Sequence, residues 1–224
     1  MSDQYNEEFL RQLDELRAEL SGDSQYLELV FDAATGSIEK LKKYNEVLEL
    51  WNKSTDLIAP ASQRDIIQAH FIDSIAGLAV SLSYLNKIPK GVFDVGSGAG
   101  FPGLVWGILF PQLKVRLVEP RKKRIDFLTR VVSTLGLENV EVVASRIEEV
   151  PEDLDANFDF SVCRALGMED DYLAEAQRLL SAGALCSAMV GPSWDAAAKH
   201  VDEPIERIDY KLAAEGPNRS LVFW

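Results

Sequence analysis

Apolar residues in the first part of the chain recur at helical spacing. Phe9, Leu10, Leu13, Leu16 and Leu20 fall three and four positions apart on an acidic stretch, which predicts an amphipathic helix with one apolar stripe. A second helix is expected from Gln25 to about Ala34. A third, from Ser37 to about Asn52, would bury Ile38, Leu41, Tyr44, Leu48 and Trp51. After a loop around Ser54 to Ser62, the apolar positions Ile66, Ile67, Phe71, Ile75 and Leu78 predict a further helix from about Gln63 to Leu82. Almost no strand signal interrupts this region, so residues 1–90 read as an N-terminal helical extension.

From Gly91 the pattern changes to short β-rich runs alternating with amphipathic segments, the signature of a parallel sheet with crossover helices. Strands are expected at Val92–Val95, Val115–Glu119, Val140–Ala144, Phe158–Cys163 and Ala184–Val190, with helices at about Pro102–Phe110, Arg121–Leu135 and Asp170–Ser181. Two further strands, near Ile205–Leu212 and Ser220–Trp224, would form a terminal antiparallel hairpin. Residues 91–224 are therefore expected to form a three-layer α/β core of about seven strands.

The run Val92-Phe93-Asp94-Val95-Gly96-Ser97-Gly98-Ala99-Gly100-Phe101-Pro102-Gly103 carries the strongest chemical signal. An apolar strand runs into closely spaced glycines, as a tight turn and a ligand lying against bare backbone both require, and Pro102 is placed to open the next helix. Alone, it could be an ordinary glycine-rich turn. Glu119, about twenty residues later at the end of the second strand, is positioned to accept both hydroxyls of a ribose. Ser145-Arg146-Ile147-Glu148-Glu149 follows the third strand, where an adenine would then rest. Together these positions outline an adenosine pocket.

The glycine register does not identify the cofactor, because Gly98, Gly100 and Gly103 fit a dinucleotide spacing while Gly96, Gly98 and Gly100 fit a tighter one. Asp94 separates the two. A carboxylate there would repel a pyrophosphate and attract an amino-acid ammonium, which favours S-adenosylmethionine over NAD. Arg164, after the fourth apolar strand and at the ligand edge of the sheet, can pair with the methionine carboxylate, a base or a phosphate. His70 and Asp73 share one helical face, which suggests a helix-bracing hydrogen bond; no third ligand accompanies them for a metal.

Composition adds constraints. The chain has 224 residues, enough for one substantial core, and no run of apolar residues long enough to suggest a membrane span. Met1-Ser2-Asp3-Gln4 lacks the basic start of an export signal, and Cys163 and Cys186 suit neither a disulfide framework nor a zinc site, so the cytosol is the expected compartment. The formal charge of −13 opposes binding to a polyanion and favours a small-molecule substrate. Between Lys114 and Arg130, however, seven basic residues face only two acidic ones. The cluster Arg121-Lys122-Lys123-Arg124 opens a helix, an end where cations oppose the macrodipole, and RNA phosphate is the partner that placement suggests. A solvated charged face is the alternative.

From about Trp51 onward the sequence resembles the bacterial small-subunit ribosomal RNA guanine-N7 methyltransferases, also called glucose-inhibited division protein B. The resemblance rests on Trp51-Asn52, His70-Phe71-Ile72-Asp73-Ser74, the glycine run from Asp94 to Gly103, Lys123-Arg124 with Phe127-Leu128, Arg146 with Glu148-Glu149, and Arg164-Ala165. It implies a class I S-adenosylmethionine-dependent methyltransferase fold, with Gly96, Phe101, Ile147, Glu148 and Arg164 touching the cofactor. It also implies the small ribosomal subunit or its RNA as partner, for a chain expected to be a monomer. Three positions depart from the family pattern: Asp56-Leu57-Ile58 stands for Asn-Leu-Thr, Ala69 for an arginine before His70, and Val190-Gly191 for Lys-Gly. Guanine N7 keeps its lone pair at neutral pH, so orientation and proximity suffice without a general base, and Arg164 is expected to act by orienting. The fourth strand, ending Ser161-Val162-Cys163-Arg164-Ala165, lacks the motifs of amino-group and cytosine-C5 methylation. A small-molecule methyltransferase and a non-catalytic cofactor-binding protein are the alternatives.

Overall fold

The computed structural model describes residues 2–20, 22, 24–150, 158–164, 175, 178, 185–192, 194, 204–216 and 218–224. Helices α1 (Ser2–Glu19), α2 (Gln25–Gly36) and α3 (Ile38–Thr55) come first. Tyr5, Phe9, Leu13 and Leu16 are the buried face of α1. Leu10 departs from the expected stripe and stays 39% exposed, because it lies about 100° round the helix from Phe9. Ser24 caps α2 by accepting from Tyr26 N, and Asp56 ends α3 in the left-handed conformation.

The next helix, expected as continuous α, has three parts. They are α4 (Gln63–Ile66), a π-helical turn (Ile67–Ile72) and α5 (Asp73–Leu85). Hydrophobic periodicity cannot reveal a single wide turn, since the apolar positions on either side still fall on a buried face. The helix from Gln63 to Leu85 is long and apolar enough to cross a bilayer, but 78% of its most apolar window is buried inside the protein, so it is a core helix. Trp106, fully buried, donates its indole N–H to Ser74 O at 2.8 Å and fastens α5 to α6 (Gly103–Leu109).

The sheet is built from β1 (Gly91–Val95), β2 (Lys114–Val118), β3 (Val140–Val143), β4 (Phe160–Arg164), β5 (Leu185–Val190), β6 (Glu206–Lys211) and β7 (Asn218–Phe223). Its order is β3-β2-β1-β4-β5-β7-β6. The first five strands are parallel, while β7 lies antiparallel between β5 and β6. Helices α6 (Gly103–Leu109) and α7 (Lys122–Leu135) follow β1 and β2. A left-handed Gly136 stops α7, with Gly136 N and Leu137 N returning to the carbonyls of Ser133 and Val132. The helix expected over Asp170–Ser181 lies outside the described residues except for Glu175 and Arg178, both helical.

Strand order places the chemistry. The chain leaves β1 toward β2 on one side and returns to β4 on the other, so a crevice forms at the carboxyl ends of β1 and β4. The apolar face of the helices from residues 2–85 and one face of the sheet share a single hydrophobic cluster, reaching from Phe9 and Tyr44 to Leu104, Phe160 and Phe223. Its burial holds the helices over that crevice.

Candidate cofactor and substrate site

The loop after β1 has the backbone that its glycines predict. Gly96, Gly98 and Gly100 all have positive φ, at 68°, 58° and 92°. Gly96 N and Ser97 N donate to Val118 O at 2.9 and 3.2 Å, so the turn is anchored to the end of β2. A Cβ on Gly98 would make only ordinary contacts, with Arg124 Nη1 at 3.5 Å and Gly96 O at 3.7 Å, whereas one on Gly103 would stand 2.6 Å from Asp94 Oδ2. Gly98 thus leaves bare backbone on the wall of a cavity; Gly103 admits the acid beneath it.

Asp94 is completely buried. Its Oδ2 accepts from Gly103 N at 2.9 Å, but Oδ1 has no partner among the described residues. Burial pushes its pKa up to about 7, although the Gly103 hydrogen bond and Arg164 both favour the anion. The orphaned oxygen suits a cationic partner.

Glu119 is buried just beyond β2. Its Oε2 accepts from Gly98 N at 3.0 Å and its Oε1 from Arg121 N at 2.8 Å, while Arg124 Nη1 lies 3.7 Å away. The carboxylate anticipated as a ribose acceptor is therefore also the clamp that shapes the glycine loop and starts α7. Each oxygen keeps a second lone pair for a hydroxyl.

Arg164 is the last residue of β4, paired in register with Met189, rather than a residue beyond the strand. Its Nη1 donates to Ala69 O at 2.9 Å and Asp73 Oδ2 at 3.1 Å, and its Nη2 lies 2.8 Å from His70 Nδ1. The expected brace between His70 and Asp73 gives way to a bridge, because the guanidinium stands between them and bonds both. Asp73 also accepts from Tyr210 Oη at 3.2 Å and has Arg219 Nε at 3.7 Å. The π turn sets this arrangement, with Ala69 O and His70 both inside it. Where the family pattern has an arginine, Ala69 serves the site through its carbonyl. Among the described residues, Arg164 retains N–H donors without an acceptor.

A cavity of about 450 Å³ joins these pieces, lined by Leu57, Ile58, His70, Gly96, Ser97, Gly98, Ala99, Phe101, Arg121, Arg124 and Arg164. Phe101 is stacked between Tyr44 and His70, with centroids 5.2 and 5.0 Å away, and the Arg164 guanidinium lies 5.3 Å from its centroid. The structure thus brings Gly96, Gly98, Phe101, Arg121, Arg124 and Arg164 to one space, with Asp94 and Glu119 in its supporting layer. Gly100 is used for packing, since a Cβ there would lie 2.3 Å from Leu104 Cδ1. Ile147 and Glu148 sit on a 3-10 turn after β3 and are not among the lining residues. Lys122 and Lys123 point into solvent on the first turn of α7, with Lys122 Nζ held by Asp126 at 2.9 Å.

Leu57, Ile58, Ser97 and Ala99 were not legible as lining residues. The last two sit within the glycine run and carried a signal by position. Leu57 and Ile58 stood out only as a departure from the family pattern, and their direction was hidden because it depends on the Asn52 side chain, which grips both the N–H and the carbonyl of Ile58. Tyr44 was expected only as a core residue and Tyr210 was not singled out; their hydroxyl partners are 55 and 137 positions away.

The model of the family described as rRNA small subunit methyltransferase G, GidB, matches residues 37–207. A protein named ribosomal RNA small subunit methyltransferase G from Desulfotalea psychrophila is 34% identical over 197 residues, 82% of this chain and 87% of that protein. The same name is carried by a Leuconostoc citreum protein that is 40% identical over 131 residues, 58% of this chain and 54% of its own length. Among solved structures, a SAM dependent methyltransferase from Aquifex aeolicus shares the fold with a TM-score of 0.51 at 16% identity, over 71% of this chain and 91% of that one. The family match across most of the chain agrees with the site's architecture, and the chain belongs to the rRNA small subunit methyltransferase G family.

Proposed function

We propose that this chain transfers a methyl group from S-adenosylmethionine to N7 of a guanine in small-subunit 16S ribosomal RNA. The observation that carries the cofactor assignment is the contact between Gly98 N and Glu119 Oε2, which sets a bare glycine backbone beside a buried carboxylate at the adjacent strand ends. Asp94 Oδ1, buried and without a partner among the described residues, supplies when ionised an acceptor of the charge an ammonium needs. Arg164 offers its remaining N–H groups to a carboxylate, and Glu119 its spare lone pairs to ribose hydroxyls. These residues fit the group.

When bound, S-adenosylmethionine would supply a sulfonium methyl to the N7 lone pair of guanine, the carbon–sulfur bond breaking to leave S-adenosylhomocysteine with no proton released. The chain therefore needs no base. What Arg164, Phe101 and the glycine loop contribute is orientation, together with a wall of stacked rings that excludes water. Arg121 and Arg124, lining the cavity, and Lys122 and Lys123 beside it supply phosphate contacts despite the net charge of −13. Such a chain works in the cytosol, where ribosomes are assembled, as a monomer with residues 1–90 as an extension of the catalytic core. Ile147 and Glu148 would meet the adenine from the edge of the site.

The charge of −13 favours a second reading, a small-molecule methyltransferase on the same fold. Labelled S-adenosylmethionine incubated separately with small subunits, free ribosomal RNA and extracted metabolites distinguishes the two. The label is expected in 7-methylguanosine from the RNA fractions; label in the metabolites alone overturns the RNA reading, and label nowhere points to a cofactor-binding protein without catalysis.

A further inference from the structure

His70 stands on the cavity wall with one ring nitrogen turned to Arg164. Its ring is fixed on two sides, stacked on Phe101 at 5.0 Å and with Nδ1 2.8 Å from Arg164 Nη2. A guanidinium only donates, so Nδ1 presents its lone pair to Arg164, and in a neutral ring the proton must sit on Nε2. Burial lowers the pKa of His70 to about 3 and Arg164 pushes it the same way, so the ring is neutral at every working pH. Among the described residues no acceptor meets Nε2, yet it is not one of the sealed, partnerless polar atoms. It is a donor of fixed tautomer on a residue that lines the cavity with Arg164, the last residue of β4.

We propose that His70 reads the target base, its Nε2–H donating to O6 of the guanine whose N7 accepts the methyl group. Guanine presents N7 and O6 as adjacent acceptors on one edge; adenine presents N7 beside an N6 amino donor. A rigid N–H next to the methyl-transfer position accepts the first and opposes the second. The neutral ring matters as well, because N7 methylation leaves a positive charge on the base and a protonated histidine would add to it. A hydrogen bond to O6 withdraws density from the base, so it selects and orients without making N7 more nucleophilic. This proposal rests on the reading of guanine as substrate.

Small subunits reconstituted with guanine, inosine or 2-aminopurine at the methylated position test it. Inosine keeps N7 and O6, whereas 2-aminopurine keeps N7 and loses O6. The wild-type chain is expected to use inosine about as well as guanine and 2-aminopurine about tenfold or more less well in kcat/KM. His70→Phe preserves the stack on Phe101 without the donor and should treat guanine and 2-aminopurine alike, within about threefold. His70→Gln, which returns an amide donor near the Nε2 position, should restore part of the preference. Binding of S-adenosylhomocysteine should stay within about threefold of wild type in both variants, because Arg164 keeps Ala69 O and Asp73 when the ring nitrogen is lost, and nitrogen NMR on the two-histidine chain should show the Nε2–H tautomer for His70 at neutral pH. Equal use of 2-aminopurine by the wild type, full discrimination by His70→Phe, an Nδ1–H tautomer, or parallel loss of cofactor binding and activity would each overturn the proposal. No transfer to any of the three RNAs would instead remove the guanine reading on which it stands.

Discussion

The hydroxyl of Tyr44, on α3, donates to the carbonyl of Ala99 in the middle of the glycine loop. Fifty-five positions apart in sequence, the two residues tie the helical extension to the cofactor-binding turn. Tyr44→Phe keeps the ring stack on Phe101 but leaves the buried Ala99 carbonyl without a donor, at a cost of about 1–3 kcal/mol. For a chain of this size the melting temperature should drop by about 2–12 °C. Affinity for S-adenosylhomocysteine should fall several-fold; unchanged melting and binding would show that the contact does not support the loop.

Asp94 predicts a pH dependence. Burial raises it to about 7 from an ordinary value of 3.8, so between those values the native chain holds a proton that the unfolded chain has lost. Stability from this group is full below pH 3.8 and declines as pH rises through 7. A cationic ammonium binds the ionised form, so cofactor affinity should run the other way, weakening as pH falls below about 7 with uptake of a proton on release. In Asp94→Asn the cofactor-free chain should be at least as stable as wild type at pH 8, yet bind at least about tenfold more weakly. Thermal melts and calorimetric titrations across pH 5.5 to 8.5, an interval of about three units around the shifted value, check both.

Most of the sheet was legible because burial on one or both faces writes itself into apolar runs, and each of the seven strands lies within two residues of its expected place. The glycine loop was legible because its backbone tolerates nothing else at Gly100 and Gly103. What the chain concealed is non-local. The π turn at Ile67–Ile72 leaves hydrophobic spacing intact, and the bridge from Arg164 to His70 and Asp73 joins residues more than ninety positions apart. An acid followed by glycines announces itself in a sequence; an arginine between a histidine and an aspartate from another element does not.

The glycines should separate by role. At Gly98 a Cβ meets nothing closer than 3.5 Å, so Gly98→Ala adds only the strain of a left-handed residue, about 1 kcal/mol, while placing a methyl where the ligand lies. That variant should fold and lose cofactor affinity. Gly103→Ala instead pushes a Cβ within 2.6 Å of Asp94 and 2.7 Å of Leu117, and should lower melting by much more than Gly98→Ala. The reverse order in thermal melts would contradict this division.

Lys122 and Lys123 should also differ. Lys122 is already engaged with Asp126, whereas Lys123 pairs with no carboxylate among the described residues. If the start of α7 meets phosphate, Lys123→Ala lowers the slope of log affinity against log salt by about one ion and Lys122→Ala by less. Filter binding of ribosomal RNA over a salt series reads the slopes; equal slopes in both variants and wild type remove this face from the RNA interface.

The whole account depends on an adenosyl cofactor lying against the backbone between Gly96 and Gly103. Calorimetric titration of the purified chain with S-adenosylhomocysteine tests that most directly. The account predicts one equivalent of saturable heat, absent when a nicotinamide dinucleotide is titrated instead. Heat with the dinucleotide and none with S-adenosylhomocysteine would contradict it.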